Sequence, residues 1–333
     1  MKSNRSLVAA AALSVLAVVA VLVVLTTNRS DALKSVAPEL RPVSQSQPAP
    51  ELAGISHFDN TPPLTIKGLR GRVVLVDFWT YTCINCRRTL PFLRALQKTY
   101  PGLTILGVHS PEFGFEKVHD NVARAVKELD VTWPVAEDPQ MLTWQAFQNE
   151  YWPAEYLVDQ NGLVRYTSVG EGNESSTEDA VRSLLGATGP RAVVTGDDEK
   201  PGSGITPETY YGTERGAGSL TSGPVKHLPE ALELDRGSVL TVPFTARDVY
   251  ATVSPVTAGA AGGQVVVDVT LDGKPVPAGR RGSSLVERGG RTVALVTQQD
   301  LLHLVTGTAI GYGTLKLSPV DGGFQVFTFT YGA

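Results

Sequence analysis

Cysteine is nearly absent, with two in 333 residues. So few cannot staple a scaffold, and the fold must rest on apolar burial instead of cross-links. No run of lysine or arginine occurs, and 29 basic against 33 acidic residues leave a net charge of −4. The basic face of a nucleic-acid binder is therefore missing, and no nucleic-acid partner is expected. The five histidines (His57, His109, His119, His227 and His303) contain no H-x3–5-H pair. A zinc site built on the cysteines would lack its remaining ligands, so no metal and no other cofactor is expected. Tryptophan is missing after residue 152, all four lying at 79, 133, 144 and 152, and no internal repeat is visible. What remains is an ordinary globular balance, 42% hydrophobic and 19% charged, at a length suited to two folded units.

One long hydrophobic run exists. Ser6 to Thr27 is 22 residues without a charge, flanked by Lys2 and Arg5 on one side and Arg29 and Lys34 on the other. As a helix it would extend about 33 Å, enough for a hydrocarbon core of about 30 Å. That exceeds the short apolar region of a cleaved signal peptide, although Ser30-Asp31-Ala32 offers a small-x-small cleavage site. The expectation is a tail at 1–5 and an uncleaved transmembrane helix at 6–27. Lysine and arginine nearly balance across the span, so orientation rests on the short basic N-terminus. It favours a single-pass protein of the cell membrane with the remainder extracytoplasmic.

Residues 28–52 are rich in Pro, Ser and Gln without a helical or strand period, and read as a tether. Residues 53–188 alternate strand and helix signals. Arg72 to Trp79 is a buried-strand run and Leu103 to Val108 a second. Val118, Val122, Val126 and Leu129 mark one apolar face of a helix. Asp159-Gln160-Asn161-Gly162 sits between two short apolar strands as a hairpin turn. Ser175-x-x-Glu178 reads as a capping box opening a last helix. Residues 189–204 form a second linker. From 205 to 333 come short alternating runs at Val239–Phe244, Val265–Leu271, Thr292–Val296, Thr314–Leu317 and Phe324–Tyr331, divided by Gly-rich turns, which predicts an antiparallel sandwich. The fold class is thus an α/β domain plus an all-β sandwich, preceded by one transmembrane helix.

Both cysteines fall in Cys83-Ile84-Asn85-Cys86, between the strand ending near Trp79 and a helix marked by Leu90, Leu93 and Leu96. Strand–CxxC–helix order sets Cys83 at a helix N-terminus, where free amides and the dipole stabilise a thiolate. Cys86 lies one turn on, in reach of a mixed disulfide formed on Cys83. A structural disulfide would close too small a loop to gain much entropy. A peroxidatic cysteine is the sharper rival, since Thr80-x-x-Cys83 resembles half of a peroxiredoxin motif, with Val76 where that motif has a proline. Asp77 interrupts the apolar strand six residues earlier. If buried, its carboxyl has a raised pKa and can carry a proton near neutrality. Trp152-Pro153 precedes another strand.

Taken together, Asp77-Phe78-Trp79, Cys83-x-x-Cys86, Pro91 and Pro153 resemble the thioredoxin superfamily. The resemblance implies that Asp77 shuttles protons for Cys86 and that Pro153 is cis and faces the pair. The segment between Val108 and Trp133 is similar to the insert of TlpA-like, membrane-tethered reductases. A closer resemblance spans roughly residues 50–333. Trp79 to Cys86, Thr206-Pro207-Glu208-Thr209-Tyr210 and Phe327-Thr328-Phe329 look like the C-terminal region of DipZ proteins, in which a thioredoxin-like domain precedes a carbohydrate-binding-module-like sandwich. Two departures matter. DipZ proteins carry a multi-span electron-transferring domain where this chain has one span, which implies a separate membrane electron donor of the DipZ/CcdA type. Many cytochrome-maturation reductases hold Glu where this chain has Thr89.

The implied activity is thiol–disulfide exchange on extracytoplasmic disulfide-containing proteins, as reduction or isomerisation, with Cys83 as nucleophile and Cys86 as resolver. Trp79, Ile84, Asn85 and Trp152 are the expected neighbours. Two rival readings stay open: a thiol peroxidase, and a glycan- or partner-binding module on a redox-inert fold. Because the sandwich has no tryptophan, docking a partner or shaping the active-site rim is expected of it before glycan binding.

Overall fold

The computed structural model describes residues 40–192, 204–216, 220–256 and 263–332. The expected tail (1–5) and anchor (6–27), the first part of the tether and most of the second linker lie outside the described residues. Among the described residues, no helix is long and apolar enough to cross a membrane.

The first domain runs β1 (Gln47–Pro48), β2 (Phe58–Asp59), β3 (Val73–Trp79), α1 (Ile84–Thr99), β4 (Leu103–His109), α2 (His119–Glu128), β5 (Val135–Glu137), α3 (Leu142–Ala146), β6 (Ala154–Val158), β7 (Leu163–Val169) and α4 (Glu174–Leu185). Its sheet has the order β1-β7-β6-β3-β4-β5-β2. Strands β3, β4 and β5 are parallel, and the other pairings are antiparallel. Strand β3 is buried at every position, as a continuous apolar run must be when both faces of a central strand are covered. Val73, Leu75 and Trp79 pack with Leu90, Leu93 and Leu96 of α1 and with Val122 and Val126 of α2. Val74, Val76 and Phe78 face the opposite layer, with Trp144 and Phe147. Asp77 shares the face of Leu75 and Trp79, beneath α1.

Three boundaries differ from the sequence reading. Residues 40–52 are not a free tether. The Arg41 N–H donates to Arg165 O at 2.8 Å, β1 pairs with Leu163 and Val164, and the Ala49 N–H donates to Gly162 O at 2.8 Å. Strand β7 would otherwise be a bare edge, and its unpaired backbone groups recruit a segment too short to show a strand period. At the other end the domain passes residue 188, because Ala192 is buried and its N–H donates to Glu178 Oε1 at 2.6 Å. The same bond dissolves the capping box. Helix α4 starts at Glu174 behind Asn173, with no side-chain cap. Glu178 is instead turned inward to Ala192 and the Tyr100 hydroxyl.

The Asp159–Gly162 hairpin is present between β6 and β7. Asp159 Oδ1 accepts the N–H groups of Asn161 and Leu163 at 2.9 and 3.0 Å, and Gly162 takes φ +83°, which a side chain would resist.

The second domain continues with β8 (Thr209–Tyr210), β9 (Leu220–Ser222), β10 (Val225–His227), β11 (Leu232–Leu234), β12 (Val239–Ala246), β13 (Asp248–Val256), β14 (Val265–Leu271), β15 (Lys274–Pro275), β16 (Leu285–Arg288), β17 (Arg291–Val296), β18 (Asp300–Val305), β19 (Gly311–Asp321) and β20 (Gly323–Gly332). One antiparallel sheet orders β10-β11-β20-β13-β18 and the other β16-β17-β14-β19-β12-β9. Inward residues of both sheets, among them Leu240, Val267, Leu317, Val253 and Phe329, share one core. All five expected strand runs lie within strands of this domain. Strand β13 lacks a clean alternation because, flanked by β20 and β18, it is buried along most of its length.

The two domains pack against each other at the start of α1 and the segment after β4. Phe113 and Phe115 meet Phe327, with ring centroids 5.1 and 4.8 Å apart. Arg87 pairs with Asp300, and the Arg88 guanidinium lies 5.5 Å over the Tyr250 ring. The Gly114 N–H donates to Glu230 at 2.8 Å.

Candidate active site

Helix α1 begins at the cysteine pair. Cys83 occupies the N-cap position with extended backbone (φ −75°, ψ 114°), and its Sγ accepts the Cys86 N–H at 3.2 Å. A sulfur thus fills the place usually taken by a Ser or Asp oxygen, directed at the positive end of the helix. Both cysteines are free thiols; Cys83 is half-buried, while Cys86 is fully buried. Burial pushes the Cys86 thiol well above its ordinary pKa, and the hydrogen bond and proximity to Cys83 push the same way. One thiol can therefore be reached from outside, and the one behind it holds its proton.

Behind Cys86 lies a pair of acids. The ladder sets Asp77 opposite Gly107 on β4 and Glu155 on β6. Asp77 is buried and its Oδ1 has no hydrogen-bond partner. Burial first, and the facing Glu155 second, hold its carboxyl well above the usual range. Glu155 accepts the Thr177 hydroxyl at 2.7 Å, and burial pushes it up to about 7. Two carboxyls in direct cross-strand register do not readily ionise together. Sequence reasoning singled out Asp77 and missed Glu155, which carries the same signal: a lone acid in an apolar strand, two residues after Pro153.

The flanking residues are mostly polar groups with named partners. Thr80 Oγ1 pairs with His109 Nε2 at 3.3 Å, and burial pushes His109 down to about 3, keeping it neutral. The Thr82 hydroxyl donates to Glu116 at 2.6 Å, and Glu116 also accepts the N–H groups of Glu112 and Phe113. The Trp152–Pro153 peptide is cis, and Trp152 Nε1 donates to Ser110 O at 3.0 Å.

Cys83 opens into a cavity of about 260 Å³ whose wall is shared between the domains. Ile84, Asn85 and Trp152 line it from the first domain, and Tyr210, Arg215 and Thr328 from the second. The Tyr210 hydroxyl donates to Glu112 at 2.8 Å, Arg215 reaches the same carboxylate at 3.0 Å, and its guanidinium stacks 4.2 Å over the Tyr210 ring. Burial, reinforced by Glu208 and Glu116, pushes Glu112 up to about 7. A larger cavity, about 440 Å³ at the seam near Phe115 and Phe327, holds neither cysteine.

Residues 45–185 match the Redoxin family, and residues 222–332 match the family described as thioredoxin like C-terminal domain. The first match agrees with the thioredoxin-like α/β fold of the first domain, and the second falls on the β-rich C-terminal region. Protein DipZ of Mycobacterium tuberculosis (strain CDC 1551 / Oshkosh) is 35% identical over 320 residues, covering 85% of this chain and 43% of that protein. The chain thus spans less than half the length of the DipZ relatives it matches. Thiol-disulfide oxidoreductase YkuV of Bacillus subtilis (strain 168) is 27% identical over 143 residues, which are 43% of this chain and 97% of YkuV.

Of the residues singled out in the sequence, Cys83, Ile84, Asn85 and Trp152 meet at the cavity. Cys86 and Asp77 lie buried beneath it, and Pro153 is buried just before β6. Trp79 lies in the same core cluster as Cys86, edge-on to His109 at 5.4 Å. The contribution of the second domain, Tyr210 and Arg215 above all, could not be read from spacing.

Proposed function

We propose that this chain reduces or isomerises disulfides of extracytoplasmic proteins through the Cys83–Cys86 pair, held at the membrane by residues 6–27. The Cys83 thiolate attacks one sulfur of a substrate disulfide, and the departing sulfur leaves as a thiolate that takes up a proton. Cys86 then gives its proton to Asp77 and attacks Cys83 Sγ, releasing the second substrate sulfur. The substrate gains two electrons and two protons, and the pair becomes a disulfide. A separate membrane protein of the DipZ/CcdA type returns the electrons. Pro153 and Trp152 border the entering chain. The observation that carries the reading is the order of groups: a reachable thiol at a helix start, a buried protonated thiol behind it, and a buried carboxyl behind that. The 22-residue uncharged run supports the anchor.

The test is a Cys86→Ser variant of the full chain in its own membranes. Without a resolver, Cys83-linked mixed disulfides with extracytoplasmic proteins should accumulate. Absence of Cys83-dependent adducts in well-expressing cells would point to a redox-inert binding module. Peroxide consumption that depends on Cys83 and outpaces disulfide reduction would instead favour the peroxidase.

A further inference from the structure

At the β5–β2 edge of the sheet, two and three strands from β3 and opposite the β1 edge, a second cluster of side chains has no part in the exchange reaction. Strand β2 and the residues around it pair antiparallel with β5. Asp59 lies opposite Val135, and the Glu137 N–H donates to His57 O at 3.0 Å. Alternation therefore sends His57, Asp59 and Glu137 to one face of the ladder, the face covered by α2. His119, the first residue of α2, comes down onto them.

The geometry converges on one carboxylate. His119 Nδ1 lies 2.6 Å from Glu137 Oε1, and His57 Nδ1 lies 3.7 Å from Glu137 Oε2. The two imidazoles are stacked with centroids 3.9 Å apart. Asp59 faces Glu137, and its Oδ2 is buried without a hydrogen-bond partner. Ligand atoms of His57, His119 and Glu137 all lie within 4.8 Å of one another. Donors around a tetrahedral zinc stand about 3.3 Å apart, given Zn–N bonds of about 2.0–2.1 Å. The closure needed is small, and the two partly exposed rings can supply it by turning. An ion pair alone explains His119 on Glu137. It leaves unexplained a second imidazole on the same carboxylate and an orphaned carboxylate oxygen beside it.

We infer that His57, His119 and Glu137 form a three-donor binding site for a divalent transition metal of the zinc class, with Asp59 beside Glu137 and outside the ligand set. One carboxylate and two neutral imidazoles form a donor set of charge −1, with the Asp59 carboxyl close by, which suits a divalent cation without protonating either ring. Imidazole ligands favour zinc over magnesium or calcium. The metal would join β2, β5 and the start of α2, tying the sheet edge to the helix that covers it.

The experiment uses the full chain in detergent, free of any affinity tag, with Cys83→Ser and Cys86→Ser so that no thiolate can chelate. Titration with Zn²⁺ against a chromophoric chelator should give one equivalent bound in the micromolar range or tighter, not displaced by millimolar Mg²⁺ or Ca²⁺. It should also raise the thermal midpoint. His57→Ala or Glu137→Gln should each weaken binding tenfold or more and abolish the thermal shift. If Glu137→Gln fails to fold, the exposed-ring variant His57→Ala decides alone. Absence of saturable one-equivalent binding, or binding unchanged in the folded variants, overturns the site.

Discussion

Replacing Glu155 with glutamine removes one of two facing carboxyls while keeping its size and an acceptor for the Thr177 hydroxyl. Burial raises Glu155 from 4.5 to about 7 in the folded chain. At 1.36 kcal/mol per unit this is about 3 kcal/mol of stability linked to one proton. The sign follows from which state holds that proton. Between pH 4.5 and 7 the unfolded chain releases it and the native chain keeps it, so native stability is full below that window and falls as pH rises through it. Glutamine has no proton to lose. The variant should match the parent near pH 4.5 and exceed it by about 3 kcal/mol at pH 8. Urea unfolding at the two pH values reads the difference directly. A gap that is constant with pH, or that narrows toward pH 8, refutes the reasoning. A second readout separates positioning from mere packing. Glu155 is the charge that helps hold Asp77 high. Its removal should move the rise of disulfide-exchange rate to lower pH, and an unmoved profile would uncouple the two acids.

Asp77→Asn should leave the fold intact, with equal or greater stability because a desolvated carboxyl is gone. Exchange should slow about tenfold or more where Cys86 must lose its proton; insulin reduction unchanged across pH 6–9 would remove Asp77 from the mechanism. Arg215→Ala takes the guanidinium from Tyr210 and Glu112, so KM for a disulfide peptide should rise several-fold with kcat retained. Arg215 is well exposed, and its ion pair with Glu112 should contribute less than about 1 kcal/mol to stability; a lost kcat with unchanged KM would deny Arg215 a binding role.

Much of the first domain was legible because its signals are local. A seven-residue apolar strand, a cysteine at the strand-to-helix junction and a Pro before the next strand each mark themselves. Asp77 was legible as a polar break in an apolar run. Glu155 was not, because its meaning depends on register with a strand far away in sequence. Residues 40–52 looked unstructured for a related reason: their order comes from the free edge of β7. In the second domain the alternating edge and inner strands could be read, whereas β13, buried along most of its length, could not. The wall of Tyr210 and Arg215 over Cys83 arises from packing between domains, which leaves no period in either sequence.

That wall has a consequence for what can react. Sulfur exchange proceeds with three sulfur atoms nearly in line, so an incoming disulfide has to align with the space that the residues around Cys83 leave. Among the described residues, Tyr210, Arg215 and Thr328 of the second domain and Trp152 of the first line that space. The ion pair from Arg87 to Asp300 ties the cysteine helix to the domain that supplies part of this lining. For the proposed exchange, disulfides on slender, protruding or unfolded segments are expected to react at Cys83 and those recessed in a folded core are not.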